Sequence, residues 1–169
     1  TTVICVFLAY PLAWLIARSP RRRSDLLVLL VILPFASNFL VRIYAWIMLL
    51  GPVNLLYTPF AVIAGMVYVH LPFMVLPLYS ALDRLDKSLI EASLDLGAGH
   101  LRTLMKIVVP LAGPGILAGV MITLIPALGA YLTPDLMGGT ESQMIANVIE
   151  RQFKRANDWP FGAALSFLL

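Results

Sequence analysis

Charge is scarce in this chain. Asp, Glu, Lys and Arg make up 12% of its 169 residues, and hydrophobic residues 60%. Soluble globular domains carry about 25% charged residues. Half that fraction excludes an ordinary water-soluble fold, since a core of this size could not hide so much apolar surface. A bilayer supplies an apolar solvent directly, and the mean hydropathy of +0.91 agrees. Cysteine is also nearly absent. Cys5 stands alone in an apolar run, which excludes an internal disulfide and a multi-cysteine metal site and leaves a buried structural residue. No His-x3-His pattern, Ser/His pair or paired carboxylates fall within the apolar runs, so an intramembrane hydrolase lacks its catalytic groups. No Gly-x4-Gly-Lys-Ser/Thr loop occurs, so the chain cannot hold ATP that way. A basic n-region is missing too. The opening TTVICVFLAY and the ending FGAALSFLL read as the insides of membrane helices, and the expectation is a fragment of a longer chain.

What charge there is lies in short stretches between apolar runs. The net charge is +3, but no solvated basic face gathers it as nucleic-acid binding would need. Apolar runs at 1–17, 26–50, 59–82, 111–134 and 160–169 predict five spans, the last partial, since spanning takes about 20 apolar residues. The expected fold is an all-α integral membrane bundle forming one transmembrane domain over 1–169. Arg18, Arg21, Arg22 and Arg23 sit in one intervening stretch, 18–25; Arg84, Lys87, Arg102 and Lys106 sit in another, 83–110. The stretches that alternate with them hold only Arg151, Lys154 and Arg155. That asymmetry puts 18–25 and 83–110 in the cytoplasm. Within the spans, Arg42 must face the bundle interior, a water-filled path or a partner, or snorkel outward. His70 reads as a packing histidine or a proton relay. Pro72 and Pro77 predict a kinked helix, and Pro126 with Gly129 a distorted one.

The longest polar run is EASLDLGAGHLRTLMKIVVP, residues 91–110. Asp86 is placed to cap a short helix carrying Glu91 and Asp95, with Leu89, Ile90, Leu94 and Leu96 as its apolar contact points. Gly97 and Gly99 allow a left-handed cap or sharp turn. Leu101, Leu104, Met105 and Val108 then recur at helical spacing, and Pro110 closes the segment. On composition alone this is an amphipathic elbow on the membrane surface.

The spacing says more. Glu91-Ala92-Ser93, three residues, Gly97, nine residues, Ile107, one residue and Val109-Pro110 resembles the EAA-x3-G-x9-I-x-LP signature of bacterial ABC importer permeases. Ser93 stands where a second Ala is usual, and Val109 where Leu is. The stretches LPFASNFLVRIYAW, YTPFAVIAGMVYVHLPFMVLPLYSALDRLD, IPALGAYLTPDLMGG and DWPFGAA extend the resemblance to the polyamine (spermidine/putrescine) importer permeases, first permease subunit, over nearly the whole chain. At Gly51-Pro52 relatives carry a longer external segment. The family has six spans, of which the first and most of the last are absent here. The resemblance implies a bacterial inner-membrane transport subunit, not an enzyme. Glu91, Ala92, Ser93, Gly97, Ile107 and Pro110 would couple it to a cytoplasmic ATPase. Its implied partners are a second homologous permease, two ATPase subunits, an extracytoplasmic binding protein and membrane lipid. This chain would carry no cofactor; ATP and Mg would sit on the ATPases.

A polyamine path calls for carboxylates and aromatic faces, each cation–π contact being worth roughly 0.5–2 kcal/mol. Tyr131 and Asp135, with Trp46 and Tyr44, are the candidates. Trp46 and Tyr44 read equally as an interfacial aromatic belt, and Asp135 as a helix-end residue. Glu141, Glu150 and Asp158 read as solvated or as contacts to the binding protein. Arg151, Lys154 and Arg155 would repel a cation if they faced the path, so they are expected to meet acidic residues of the binding protein. The rival readings are the same importer with another cargo, such as an opine, an amino acid derivative or a chelated metal, and a secondary transporter using Arg42 and His70 without an ATPase.

Overall fold

The computed structural model describes residues 1–139 and 142–169, and every regular element among them is helical. Helix α1 (Thr2–Arg18) and helix α2 (Arg21–Ile32) are parted only by Ser19 and Pro20. The arginine-rich stretch is therefore a tight break rather than an eight-residue loop, with Arg21, Arg22 and Arg23 already in the first turn of α2. Pro20 accounts for both sides of it. The residue before a proline is pushed out of the helical region, ending α1. The Pro20 carbonyl then accepts the N–H groups of Arg23 and Ser24 at 2.8 and 2.9 Å, starting α2.

The apolar run 26–50 is broken rather than one continuous helix. A 3-10 turn (Leu33–Ala36) follows α2, and helix α3 (Phe39–Leu50) begins only after a break at Ser37 and Asn38. Pro34 brings no N–H to continue the ladder. The Ser37 hydroxyl donates to the Pro34 carbonyl at 2.7 Å, and Asn38 Oδ1 caps α3 by accepting from Leu40 N at 2.9 Å. The 12 residues of α3 reach about 18 Å, well short of a hydrocarbon core of about 30 Å.

Helix α4 (Pro59–Asp83) is 25 residues long and continuous through Pro72 and Pro77. At about 37 Å it is, among the described residues, the one helix long and apolar enough to cross a membrane unaided; two bent pairs could bring the number to three. Helices α5 (Lys87–Asp95) and α6 (His100–Thr103) follow, then a π-helical turn (Leu104–Val108) and α7 (Val109–Leu111). Helix α8 (Gly113–Leu128) leaves that stretch at 65°. It keeps Pro126 inside but stops before Gly129, short of the expected 134. Helices α9 (Leu132–Met137) and α10 (Ile145–Arg151), a π turn (Gln152–Ala156) and α11 (Trp159–Leu168) complete the chain.

Residues form two compact units. One contains Leu33–His70 and Leu124–Leu169. Its core gathers Ile43, Ala61, Val69 and Met137, with Trp46 edge-on to Tyr68 at 5.6 Å between ring centres. The other contains Thr2–Ile32 and Leu71–Thr123. There α1 buries Cys5, Ala9, Ala13 and Ile16, a stripe at helical spacing, and the Ser24 and Tyr79 hydroxyls meet at 3.1 Å. Phe7 and Leu117 point outward, 74% and 66% exposed, as an apolar solvent permits.

Within this second unit α8 lies against α4 through two small residues four apart, the spacing that lets membrane helices approach closely. A β-carbon on Gly115 would fall on the Ala81 side chain and 3.0 Å from the Pro77 carbonyl; one on Gly119 would lie 2.7 Å from Met74 Sδ. Gly115→Val should therefore destabilise the protein by about 1–3 kcal/mol, the usual cost of overpacking. Gly113→Ala, with nothing within 4 Å, should be neutral. Thermal unfolding of both variants in detergent checks this; equal behaviour would mean that α4 and α8 do not approach so closely.

Candidate functional site

The polar segment after α4 folds as a helix–turn–helix elbow inside the second unit. Asp86 does cap α5: its Oδ1 accepts the Ser88 N–H at 3.0 Å. That bond favours the carboxylate and holds the Asp86 pKa below its ordinary value. The cap is thus complete at neutral pH and is lost only on acidification through that lowered value. Helix α5 is closed by a Schellman turn. Gly97 N donates to Leu94 O at 2.9 Å and Ala98 N to Ser93 O at 3.1 Å, around Gly97 at φ +80°, a conformation glycine reaches without a Cβ clash. Gly99 has an ordinary φ of −68° and opens α6.

Glu91, Ala92 and Asp95 lie exposed on α5, whereas Ser93 is buried. Its hydroxyl meets that of Thr103 on α6 at 2.9 Å, and the Thr103 hydroxyl also lies 3.3 Å from Gly99 O. The residue that departs from the usual Ala thus ties the two helices together. Leu89 is 45% exposed and Leu96 88%, so half of the expected apolar contact points of α5 face outward, as does Leu101 of α6. Ile107 is half-buried and Pro110 exposed. Pro110 does not close the segment as expected; it lies inside α7. Lacking an N–H and crowding the carbonyl four residues back, it relaxes the helix before it into the π turn, where Val109 N reaches back to Leu104 O. The change of direction comes at Ala112. Ile90 and Thr103 share a cleft with Trp14, Arg18 and Val108, which seats the elbow beside the end of α1. Arg18 stacks on Trp14 at 4.2 Å.

The path candidates lie in the first unit. Tyr131 leads into α9, and its carbonyl is held twice, by Asp135 N at 3.0 Å and by the buried Asn147 Nδ2 at 2.9 Å. Its ring is partly exposed, and Lys154 Nζ lies 5.8 Å from the ring centre and 3.0 Å from Glu150 Oε1. The hydrogen bond and charge of Glu150 raise the Lys154 pKa, with smaller help from Tyr131 and Asp135. Asp135 is exposed in the first turn of α9 and lines a cleft with Gln143, Asn147 and Arg151; Arg151 Nη1 donates to Gln143 Oε1 at 2.8 Å. On the other side, Tyr131 borders an apolar cleft with Phe39, Val69 and His70. Two of the basic residues expected to meet the binding protein, Lys154 and Arg151, thus lie beside the candidates themselves. Asp158 caps α11 by accepting from Phe161 N at 3.1 Å; Glu141 lies outside the described residues.

The α3 aromatics divide. Trp46 is engaged in the core against Tyr68, while Tyr44, two residues away and on another face, is 55% exposed. His70 Nδ1 donates to the Met66 carbonyl at 2.7 Å, as a packing histidine does. The Arg42 guanidinium stacks 4.6 Å from the centre of the Phe35 ring, and its Nε and Nη1 are buried without a hydrogen-bond partner among the described residues. Sequence reasoning missed Thr103, Asn147 and the place of Lys154. Only the Glu150–Lys154 spacing of four could have signalled any of them.

Residues 9–169 match the family described as "Binding-protein-dependent transport system inner membrane component". The chain is 45% identical over 185 aligned positions to the spermidine/putrescine transport system permease protein PotB of Escherichia coli (strain K12), covering 99% of this chain and 67% of that protein. It is 40% identical to the protein of the same name in Haemophilus influenzae, covering 98% and 64%. Against the inner membrane ABC transporter permease protein YdcU of Escherichia coli (strain K12) the figures are 31%, 99% and 62%. The chain thus spans about two thirds of the length of these relatives. An all-helical chain, rich in outward-facing apolar residues and matched to this family over nearly its whole length, belongs to the binding-protein-dependent inner-membrane transport components: it is an ABC importer permease, a transport subunit rather than an enzyme.

Proposed function

We propose that this permease carries spermidine, putrescine or a related cation across the inner membrane, driven by an ATPase docked on α5. The 45% and 40% identity to spermidine/putrescine permeases supports the cargo. The observation that carries the coupling role is the build of the elbow: a nine-residue helix, capped at both ends, tied to α6 by buried hydroxyls, and displaying Glu91, Ala92 and Leu96 outward. Such a helix is stiff enough to transmit displacement. Three residues, Arg84, Leu85 and Asp86, join it to α4, and the stretch from α6 to α7 runs through Ala112 into α8. A push on α5 therefore reaches both membrane helices with little slack. In this reading 18–25 and 83–110 face the cytoplasm, and two ATPases bind ATP and Mg. A second permease completes the pore, and an extracytoplasmic binding protein delivers cargo to the side bearing Tyr131 and Asp135. Ile107 and Pro110 set the bend that hands motion on to α8, and Tyr44 borders the path. A secondary transporter is not favoured, because the family is binding-protein-dependent.

Two predictions test the elbow in the assembled complex, reconstituted with its binding protein. Left-handed backbone costs a residue with a side chain about 1–2 kcal/mol, and Asn tolerates it best. Gly97→Ala should therefore cut polyamine-stimulated ATP hydrolysis several-fold and Gly97→Asn less, while Gly99→Ala should match wild type. Equal loss at 97 and 99 would contradict a role for the turn.

The hydroxyl tie gives an asymmetric cycle. Thr103→Val leaves the Ser93 hydroxyl buried without its partner, a loss of about 1–3 kcal/mol. Ser93→Ala should be milder, since Thr103 keeps the Gly99 carbonyl, and the double variant should recover most of the Thr103→Val loss. Thermal stability and coupled hydrolysis of the three variants check it; simple additivity would show that the two hydroxyls do not act together.

A further inference from the structure

Lys154 carries a charge that would repel a cation, and its ammonium lies over the Tyr131 ring, 5.8 Å from the centre, and 3.0 Å from a Glu150 oxygen. An aromatic face and a carboxylate are the two groups that recognise an alkylammonium. The host is anchored: Asn147, itself 3% exposed, holds the Tyr131 carbonyl at 2.9 Å and also accepts the Met144 N–H at 3.2 Å. The guest is not, because the Lys154 side chain is 66% exposed and Glu150 25%, so the pair exchanges readily with solvent and with other cations. Chemically, the tip of a lysine side chain is the tip of a polyamine: a primary ammonium on a methylene chain.

We infer that Tyr131 and Glu150 form a site for a primary alkylammonium group, and that Lys154 fills it as a tethered stand-in which incoming cargo displaces. The inference rests on the polyamine reading above. The site holds one ammonium of the cargo, with Asp135 alongside adding negative potential. While it is empty of cargo, Lys154 keeps Glu150 neutralised and shuts out small inorganic cations. When a polyamine ammonium arrives, Lys154 swings into solvent at small cost. Removing Lys154 should thus improve binding, an effect that simple structural damage does not produce.

The test is spermidine binding, measured by equilibrium dialysis on the assembled permease–ATPase complex in nanodiscs without binding protein. Lys154→Gln should bind spermidine about tenfold more tightly than wild type, the scale of one cation–π contact plus one partly exposed ion pair. Lys154→Arg should stay near wild type, because the tethered cation remains. Glu150→Gln should weaken binding several-fold. Arg155→Gln removes the same charge from the neighbouring residue and should leave affinity unchanged, separating a local occupant from a general field. Unchanged or weaker binding in Lys154→Gln, or equal gains from Lys154→Gln and Arg155→Gln, would overturn the stand-in. If spermidine delivered by the binding protein also fails to stimulate wild-type ATP hydrolysis, the polyamine reading falls and takes the site with it. If that stimulation is intact while Lys154→Gln shows no gain, only the site is lost.

Discussion

Hydrocarbon offers no hydrogen bonds, and the rest of this structure follows from that constraint. Each backbone N–H and C=O within the bilayer must find a partner inside the protein, which leaves a chain of this composition helices as its natural choice. Irregular backbone is then confined to places where side chains or neighbouring carbonyls can satisfy it. The break at Ser37 and Asn38 illustrates the rule. The chain leaves the helical path there because Pro34 lacks a donor, and the Ser37 hydroxyl and Asn38 carboxamide take up the freed backbone groups. Along α4, by contrast, the helix runs through Pro72 and Pro77 unbroken.

The same constraint isolates the elbow. Residues too polar for lipid are gathered between α4 and α8, and there the chain uses the devices of soluble proteins: an Asx cap, a Schellman turn and a buried hydroxyl pair. These make α5 and α6 rigid where an unstructured polar loop would be slack. Rigidity matters because a lever that yields transmits no work. The elbow is locally stiff and exposed on one face, and it is joined to the membrane helices by a few residues. These are the properties required of an element that takes force from outside the bilayer.

Much of this was legible in the sequence, where a local rule governs. Asp86 as a cap, Gly97 as a left-handed turn and the long apolar run over 59–82, found as helix Pro59–Asp83, each follow from a pattern within a few residues. The motif from Glu91 to Pro110 gave the family, and the match over residues 9–169 agrees. What stayed hidden depends on partners distant in sequence or on competition between neighbours. The Ser93–Thr103 tie joins residues ten apart across a turn, so Ser93 looked only like a conservative departure. The break before α3 required the proline, the serine and the asparagine to act together. Pro110 read as a terminator, yet its clash was absorbed by widening the preceding turn. Lys154 was assigned by its charge alone, which suggested repulsion from a cation path; its position shows a cation already resting on the aromatic face.

The central claim is that α5 is the surface through which an outside motor acts. Leu96 is the most direct place to ask, because it is 88% exposed at the end of that helix and packs against nothing that its replacement would disturb. A photo-crosslinking amino acid placed at Leu96, irradiated in membranes containing the assembled transporter, should yield one dominant adduct with the ATPase subunit. The same probe at Leu117, on the apolar face of α8, should yield none with that subunit. If Leu96 gave adducts only with lipid or with a second permease, α5 would be a surface element of the membrane domain, and the force would have to enter elsewhere.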